Sequence, residues 1–239
     1  MHGDDKSFLE QLAENFPTVH RDGQKYIAMA GVAALAGFLL WAPLGWLAAF
    51  AAVCLTVVFR DPDRVVPQRE GLALAPADGP VAVIEAVVPD PAYGLGDEER
   101  LRVTILPALF DVHVQRAPLA GRVAQSIYVP GAFGSVWRDK ASDENERRVT
   151  VIETSDKQIR IAVVQIAGGL GRRIASFVED GARIGLGDRV GMVGPGSRVD
   201  VYLPVGAIPL VCEGQTMVAG ETVLADARSQ EPERLARVN

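Results

Sequence analysis

The sequence has few of the residues that build disulfide frameworks, metal centres or nucleic-acid surfaces. Its 239 residues include two cysteines and three histidines, and the formal net charge is −6. Cys54 lies inside an apolar run and Cys212 far along the chain, so neither a disulfide framework nor a metal site is indicated. His2 and His20 lie near the N-terminus, which argues against a histidine-rich metal centre. The acidic charge argues against nucleic acid as a partner, because neutralising phosphates requires clustered Lys and Arg.

Charged residues are absent from residue 27 to residue 59. As one helix this run would extend about 50 Å, well beyond a hydrocarbon core of roughly 30 Å. Pro43 and Gly45 interrupt its middle, so we predict a membrane-associated hairpin over residues 26–60, with two short apolar helices joined at residues 42–45. The run is too long and starts too late for a cleaved signal peptide. A buried helical pair of a soluble protein is the alternative.

Basic residues flank the apolar run on both sides: Arg21 and Lys25 before it, and Arg60, Arg64 and Arg69 after it. Such residues are retained on the cytoplasmic side of a membrane, so we expect both ends of the hairpin to face the cytoplasm at the cell membrane. The charged cluster at residues 60–64 has two interpretations. It is either a solvated linker or a basic collar in which Arg60 and Arg64 meet lipid phosphate.

The polar N-terminal segment, residues 1–25, contains one amphipathic pattern. Ser7 and Glu10 have the spacing of a capping box. Apolar side chains recur every four residues at Phe8, Leu12 and Phe16. The pattern predicts a short helix on a membrane surface, with a partly ordered tail as the alternative.

Residues 61–239 have the texture of a β domain, in which short runs of Val, Ile and Leu are separated by Gly, Pro and Asp. The runs are 80–88, 101–106, 111–116, 121–129, 148–154, 158–167, 173–178, 189–193, 198–203, 207–212 and 222–226. We therefore predict a mainly β (α+β) fold: a many-stranded sandwich or barrel-like β domain preceded by an apolar helical hairpin.

A weak internal repeat lies near the end of this domain. Its five positions are Gly181, Ile184, Gly187, Asp188 and Val190, matched at constant offset by Gly214, Met217, Gly220, Glu221 and Val223. Each copy resembles a turn-strand unit of lipoyl- and biotin-carrier barrels. Because no lysine sits at an exposed hairpin tip, a carrier role has little support.

Residues 194–204 contain the most informative local pattern. Val199, Val201 and Leu203 alternate with polar residues, which predicts a half-buried strand. Gly196 tolerates backbone angles that other residues do not adopt cheaply. The peptide bond between Gly196 and Ser197 could therefore be held strained, with the Ser197 hydroxyl turned back onto the Gly196 carbonyl. That arrangement suits an internal acyl shift; an ordinary turn before a strand is the alternative.

Four motifs in order give this pattern a context: Phe59-Arg60-Asp61-Pro62-Asp63-Arg64, Pro76-Ala77-Asp78-Gly79, Phe110-Asp111-Val112-His113-Val114-Gln115-Arg116-Ala117-Pro118 and Gly196-Ser197-Arg198-Val199-Asp200. Together they resemble the short bacterial and archaeal form of phosphatidylserine decarboxylase, a self-cleaving enzyme with a pyruvoyl group. The resemblance extends from about residue 55 to 227. The charged loop at residues 137–148 also resembles a family loop close to the active site.

The resemblance implies a catalytic set of Asp78, His113 and Ser197. With His113 as base, the Ser197 hydroxyl attacks the Gly196 carbonyl, and elimination and hydrolysis leave a pyruvoyl group. The implied products are a β chain of residues 1–196 and an α chain of residues 197–239, which stay together as a heterodimer. Neither pyridoxal phosphate nor a metal is implied as a cofactor, and a higher homo-oligomer stays open.

The implied activity is decarboxylation of phosphatidylserine in the membrane to phosphatidylethanolamine, as part of phospholipid biosynthesis. The pyruvoyl at Ser197 would form a Schiff base with the substrate amine and act as an electron sink, with His113 as proton donor. The catalytic domain would face the cytoplasm. Gly194 and Pro195 stand where the family usually has a basic and an aromatic residue, so we expect looser packing around the scissile bond.

Two other functions fit parts of the pattern. A non-catalytic β-sandwich adaptor tethered by the hairpin would keep its chain uncut. A serine hydrolase would use Ser197, His113 and Asp78 on an external substrate. The hydrolase nucleophile elbow places its serine before a helix, whereas here Arg198 and a predicted strand follow.

Overall fold

A computed structural model describes residues 18–136, 144–155, 159–170 and 172–227. The chain divides into two compact units, one ending at Asp63 and one beginning at Arg64. The amphipathic helix predicted around residues 7–16 lies outside the described residues, as does the first half of the charged loop at 137–148.

The first unit contains the predicted helical hairpin, with α1 (Arg21–Leu40) and α2 (Ala42–Val58). The two helices are joined at Trp41, whose extended backbone has φ −166° and ψ 119°, and not at residues 42–45 as predicted. Pro43 falls in the first turn of α2, where its missing N–H would have had no helical partner anyway. The proline therefore starts the second helix and does not form the linker.

The helices of the hairpin cross closely at two glycines. A Cβ built on Gly37 would lie 2.8 Å from the backbone nitrogen of Gly45. The two helices could therefore not approach each other this closely with a larger residue at position 37. Beside this crossing, the rings of Phe38 and Trp46 pack edge to face at 5.4 Å. Most of the large apolar side chains of both helices are exposed. Within the described residues, α1 is the one helix long and apolar enough to cross a membrane.

The second unit is built from strands, which confirms the mainly β prediction. They are β1 (Leu72–Leu74), β2 (Gly79–Val87), β3 (Arg100–Ile105), β4 (Val114–Arg116), β5 (Gly121–Val129), β6 (Arg147–Glu153), β7 (Arg160–Ile166), β8 (Ile174–Ser176), β9 (Arg183–Ile184), β10 (Arg189–Val193), β11 (Arg198–Tyr202), β12 (Thr216–Met217) and β13 (Val223–Asp226). The run predicted as a strand at residues 207–212 contributes only an isolated bridge, from Pro209 to Ala225.

An eight-stranded antiparallel sheet in the order β12-β2-β3-β11-β7-β6-β5-β9 forms the centre of this unit. Smaller sheets, β4-β10-β8 and β1-β13, complete it. Strand β11 lies between β3 and β7. Val199 and Val201 on one of its faces, and Leu203 directly after it, belong to the main hydrophobic core.

The half-buried pattern predicted for β11 is wrong, because all five residues of the strand are buried. On the face opposite the core valines, Tyr202 joins a second apolar cluster and packs edge to face against Tyr93 at 5.8 Å. Arg198 and Asp200 on that face pair with each other. The alternation therefore does not indicate a face exposed to solvent. One face of β11 packs in the apolar core, and the other is buried among polar and aromatic side chains.

The predicted repeat has a conformational counterpart. Gly181 and Gly214 have φ values of +84° and +81°, and Gly187 and Gly220 have +78° and +75°. Equivalent glycines thus adopt the same left-handed turns, each followed by a short strand.

Candidate functional site

Ser197 lies directly before β11, at the end of the sheet where several loops leave it. In the antiparallel register Val199 is opposite Ile105, the last residue of β3, and Arg198 is opposite Ile166, the last residue of β7. The segments that follow β3 and β7 therefore leave the sheet on either side of Ser197.

The hydroxyl of Ser197 is buried and has an unusual hydrogen-bonding state. The residue is 1% exposed, and its Oγ has no hydrogen-bond partner within the described part of the chain. Leaving a buried hydroxyl unpaired costs about 1–3 kcal/mol. Native structures retain such groups rarely, so each one calls for an explanation.

The carbonyl that precedes Ser197 is held against a glycine. Gly196 has φ +71°, in the left-handed region that glycine adopts at little cost. A Cβ built on Gly168 would lie 1.6 Å from the carbonyl oxygen of Gly196 and 3.2 Å from Cγ1 of Val136. Only glycine fits at position 168 with the carbonyl of Gly196 where it is. The neighbouring Gly169 is unlike it, because its Cβ would meet the carbonyl oxygen of Phe133 at an ordinary 3.7 Å.

Asn145 fixes the backbone on which Gly168 sits. Its buried side-chain Nδ2 donates to the carbonyl oxygen of Ala167 at 2.9 Å and to that of Gly134 at 3.0 Å, and its Oδ1 accepts from the Gly134 N–H at 3.0 Å. One amide therefore joins the loop before β6, the loop around residue 134 and the segment after β7. These bonds hold Ala167 and, through it, the glycine that contacts the carbonyl of Gly196.

A buried polar network follows Ser197 along β11. Arg198 Nε donates to Asp200 Oδ1 at 2.7 Å, and Arg198 Nη2 donates to Thr104 Oγ1 at 3.2 Å. The Thr104 hydroxyl donates in turn to Asp200 Oδ1 at 2.8 Å. The network anchors the residue after Ser197 to β3, so both neighbours of Ser197 are restrained.

His113 is fully buried and directly precedes β4, whereas the sequence predicted a strand from residue 111. Its Nε2 lies 3.2 Å from the carbonyl oxygen of Leu109, and its own carbonyl accepts from the Val193 N–H at 3.3 Å. Because Ser197 Oγ has no hydrogen-bond partner among the residues described, the intact chain contains no hydrogen bond from that hydroxyl to His113. The role of His113 as base stays a prediction.

Asp78 lies in the turn before β2 with a partner on each carboxylate oxygen. Oδ1 accepts from the Ala219 N–H at 2.7 Å, and Oδ2 accepts from Arg64 Nη2 at 2.8 Å. The Arg64 side chain is only 12% exposed. Of the two interpretations of the charged cluster at residues 60–64, the basic collar is therefore wrong for Arg64, because its guanidinium pairs with Asp78 inside the protein. For Arg60 it stays a prediction. The predicted role of Asp78 in orienting His113 stays a prediction.

Two buried tyrosines, at the end of β11 away from Ser197, stay neutral well above physiological pH. Burial raises the pKa of Tyr93 to about 12, and the neighbouring Tyr202 adds to the effect. Burial also raises the pKa of Tyr202, although its hydrogen bond with Arg102 opposes the shift.

The sequence reasoning missed the roles of Gly168, Asn145 and Thr104. The Gly168-Gly169 pair directly after a run of apolar residues was a usable signal, since adjacent glycines often mark a close approach of backbones. Asn145 stands within a charged segment and offered no comparable signal.

Among the described residues, no group of three or more His, Cys, Asp or Glu side chains could hold a metal ion. Residues 52–225, well over half of the chain, match the family model described as phosphatidylserine decarboxylase. The match includes Asp78, His113, Gly168, Gly196 and Ser197.

Proposed function

Because the chain belongs to the phosphatidylserine decarboxylase family, we propose that it decarboxylates phosphatidylserine to phosphatidylethanolamine with a pyruvoyl group made from its own Ser197. The observation that carries the proposal is the buried Ser197 hydroxyl, which has no hydrogen-bond partner among the described residues, beside a carbonyl that approaches Gly168 more closely than any side chain there would allow. This combination suits attack within the chain, because the hydroxyl is unsatisfied and the carbonyl is closely packed against Gly168.

The proposed self-cleavage consists of three steps. Ser197 Oγ attacks the carbonyl carbon of Gly196, the peptide C–N bond breaks, and an ester forms while the Ser197 nitrogen becomes a free amine. Loss of the Ser197 Cα proton then expels the Gly196 carboxylate and leaves a carbon–carbon double bond at residue 197. Water replaces the nitrogen as ammonia, which gives a pyruvoyl group at the start of residues 197–239. Residues 1–196 stay bound as the second chain of a heterodimer.

We assign the base for the first step to His113. It is the only histidine of the second unit, since the other two lie at positions 2 and 20. It directly precedes β4, which pairs with β10, and β10 leads through residues 194–196 to Ser197. If the contact between His113 Nε2 and the Leu109 carbonyl changed, an imidazole nitrogen would become available to accept the Ser197 proton. Catalytic hydrogen bonds often tighten only during reaction.

The residues around Ser197 fit a pyruvoyl group. Such a group supplies an electron sink for the carbanion left when carbon dioxide departs. The position is buried, so water is largely excluded from the reacting carbon. Arg198, held by Asp200 and Thr104, anchors the new chain start to the sheet, and His113 is the proposed proton donor.

A hydrophobic hairpin suits an enzyme whose substrate stays in a bilayer. Helix α1 is long and apolar enough to cross a membrane, and most large apolar side chains of the hairpin are exposed. Exposure of this kind favours lipid contact over a buried helical pair of a soluble protein. The basic flanks support the cytoplasmic side of the cell membrane as the location of the catalytic unit.

The burial of Ser197 argues against a serine hydrolase. At 1% exposure, its hydroxyl is out of reach of an external substrate while the chain is intact. Intact-mass analysis of the purified protein separates the candidates. A decarboxylase of the proposed kind yields two chains, of which the smaller lacks a free amino terminus, and Ser197→Ala stays whole and inactive. A hydrolase or an adaptor yields one full-length chain.

A further inference from the structure

We infer that the loops after β3 and β7 form an apolar rim around Ser197 that inserts into the bilayer carrying the substrate. The rim is defined here as Leu109, Phe110, Leu170, Arg172 and Arg173. It would be a membrane contact of the catalytic unit itself, additional to the hairpin. The inference rests on the proposed function, because it concerns how a bilayer lipid reaches that site.

The register of the sheet places both loops at the same end of the strands, next to Ser197. β3 ends at Ile105, which pairs with Val199, two residues after Ser197. β7 ends at Ile166, which pairs with Arg198. Leu109 and Phe110 belong to the loop after β3, and the Leu109 carbonyl lies 3.2 Å from His113 Nε2. Leu170 belongs to the loop after β7, and its Cβ lies 3.6 Å from where a Cβ on Gly196 would be.

These loops expose large apolar side chains next to the most buried part of the site. Leu109 is 46% exposed, Phe110 56% and Leu170 80%. Single exposed apolar residues are common on protein surfaces, but a group of them on loops that border one functional position indicates an interaction site.

The charge beside these side chains identifies the partner as an anionic lipid surface. Arg172 and Arg173 are exposed two and three residues after Leu170, and the Arg172 guanidinium lies 5.5 Å from the centre of the Phe133 ring. The chain as a whole has a net charge of −6, so this pair is a local exception. Basic side chains beside apolar ones suit the headgroup layer of a membrane that contains phosphatidylserine. Asp111, on the loop after β3, accepts a hydrogen bond from the Ala108 N–H at 2.7 Å and so closes its own turn.

The substrate requires such a rim. Its headgroup has to reach residue 197 while its acyl chains stay in the hydrocarbon, because moving each methylene into water is unfavourable. The loops that border residue 197 must therefore approach the bilayer closely. Exposed leucine and phenylalanine side chains allow this approach without burying unpaired polar groups in lipid.

The test compares two forms of the substrate with the full-length, self-cleaved protein. One form is phosphatidylserine in phosphatidylcholine vesicles, and the other is water-soluble dibutanoyl phosphatidylserine. The test variant, called the rim variant, is Phe110→Ser, which leaves Leu109 and the contact of its carbonyl with His113 in place, and Phe110→Ala serves if Phe110→Ser does not accumulate as two chains. The matched control is Val88→Ser. Val88 is 56% exposed, like Phe110, but follows the end of β2 that pairs with Arg100, away from Ile105.

We expect kcat/KM on vesicles to fall about tenfold or more in the rim variant, as estimated from the apolar surface lost. Self-cleavage and kcat/KM on the soluble substrate should match the wild type, the Val88 control should match it on both substrates, and Phe110→Trp should retain vesicle activity. Unchanged vesicle activity in the rim variant, or equal losses on both substrates, would overturn the inference. A wild-type protein that decarboxylates neither substrate would instead overturn the proposed function.

Discussion

Replacing Gly168 by alanine tests whether the position of the Gly196 carbonyl controls self-cleavage. The added methyl group would lie 1.6 Å from the Gly196 oxygen, and this separation must widen to at least 3.0 Å before the side chain is accommodated. A displacement of about 1 Å at a reacting centre costs roughly 100-fold in rate. We therefore expect Gly168→Ala to cleave about 100-fold more slowly than the wild type.

Gly169→Ala is the matched control. It adds the same methyl group one residue later, where its nearest neighbour is the Phe133 carbonyl oxygen at 3.7 Å, so cleavage should proceed at the wild-type rate. The assay follows conversion of newly made full-length chain into two chains by intact mass, with thermal melting of each variant in parallel. Overpacking alone costs about 1–3 kcal/mol of folding stability, which a melting curve detects.

Hydroxylamine identifies the step that is blocked. It cleaves esters but leaves peptide bonds intact, so a chain that has formed the ester at Ser197 releases two fragments when treated. We expect Gly168→Ala to release little, because its displaced carbonyl prevents attack. Wild-type cleavage by Gly168→Ala would refute the reasoning, and so would equal slowing of both alanine variants.

Three further predictions concern the network around the site and the buried tyrosines. Asn145→Ala removes three hydrogen bonds and should lower the free energy of unfolding by about 2–4 kcal/mol and slow self-cleavage; wild-type cleavage in a destabilised variant would contradict its positioning role. Asp200→Ala leaves the Arg198 guanidinium buried without its carboxylate and should cost about 3–5 kcal/mol in urea unfolding, whereas a loss below about 1 kcal/mol would show that the network contributes little. Because the pKa of Tyr93 rises from 10.0 to about 12 on folding, its contribution to stability is fully present below pH 10 and is lost as the pH rises toward 12. Tyr93→Phe should flatten that alkaline loss, and an unchanged pH profile would contradict the assignment.

The architecture was largely predictable because it depends on patterns that span many residues. A charge-free stretch interrupted by Pro43 predicts two helices, and regularly spaced apolar runs separated by turn residues predict a sheet-rich unit. Boundaries were less predictable. The hairpin turns at Trp41 because proline is favourable inside the first helical turn, and residues 207–212 form only one bridge although their composition resembles that of a strand.

The site was predictable only in part, because several of its contacts join residues far apart in sequence. Nothing near Asn145 indicates that its amide reaches Gly134 and Ala167, and Arg64 resembles a membrane-facing cation until its ion pair with Asp78 is seen. The burial of both faces of β11 likewise depends on elements from elsewhere in the chain. Local alternation cannot distinguish water from a second interior whose polar side chains satisfy one another.

The chemical nature of the amino terminus at residue 197 tests most directly whether the chain makes a pyruvoyl group from its own serine. In protein purified after expression of the full chain, peptide mass spectrometry should find a small chain that starts with a pyruvoyl group in place of Ser197 and a large chain that ends at Gly196. A single uncut chain with an unmodified serine at position 197, in a preparation that nevertheless decarboxylates phosphatidylserine, would contradict it.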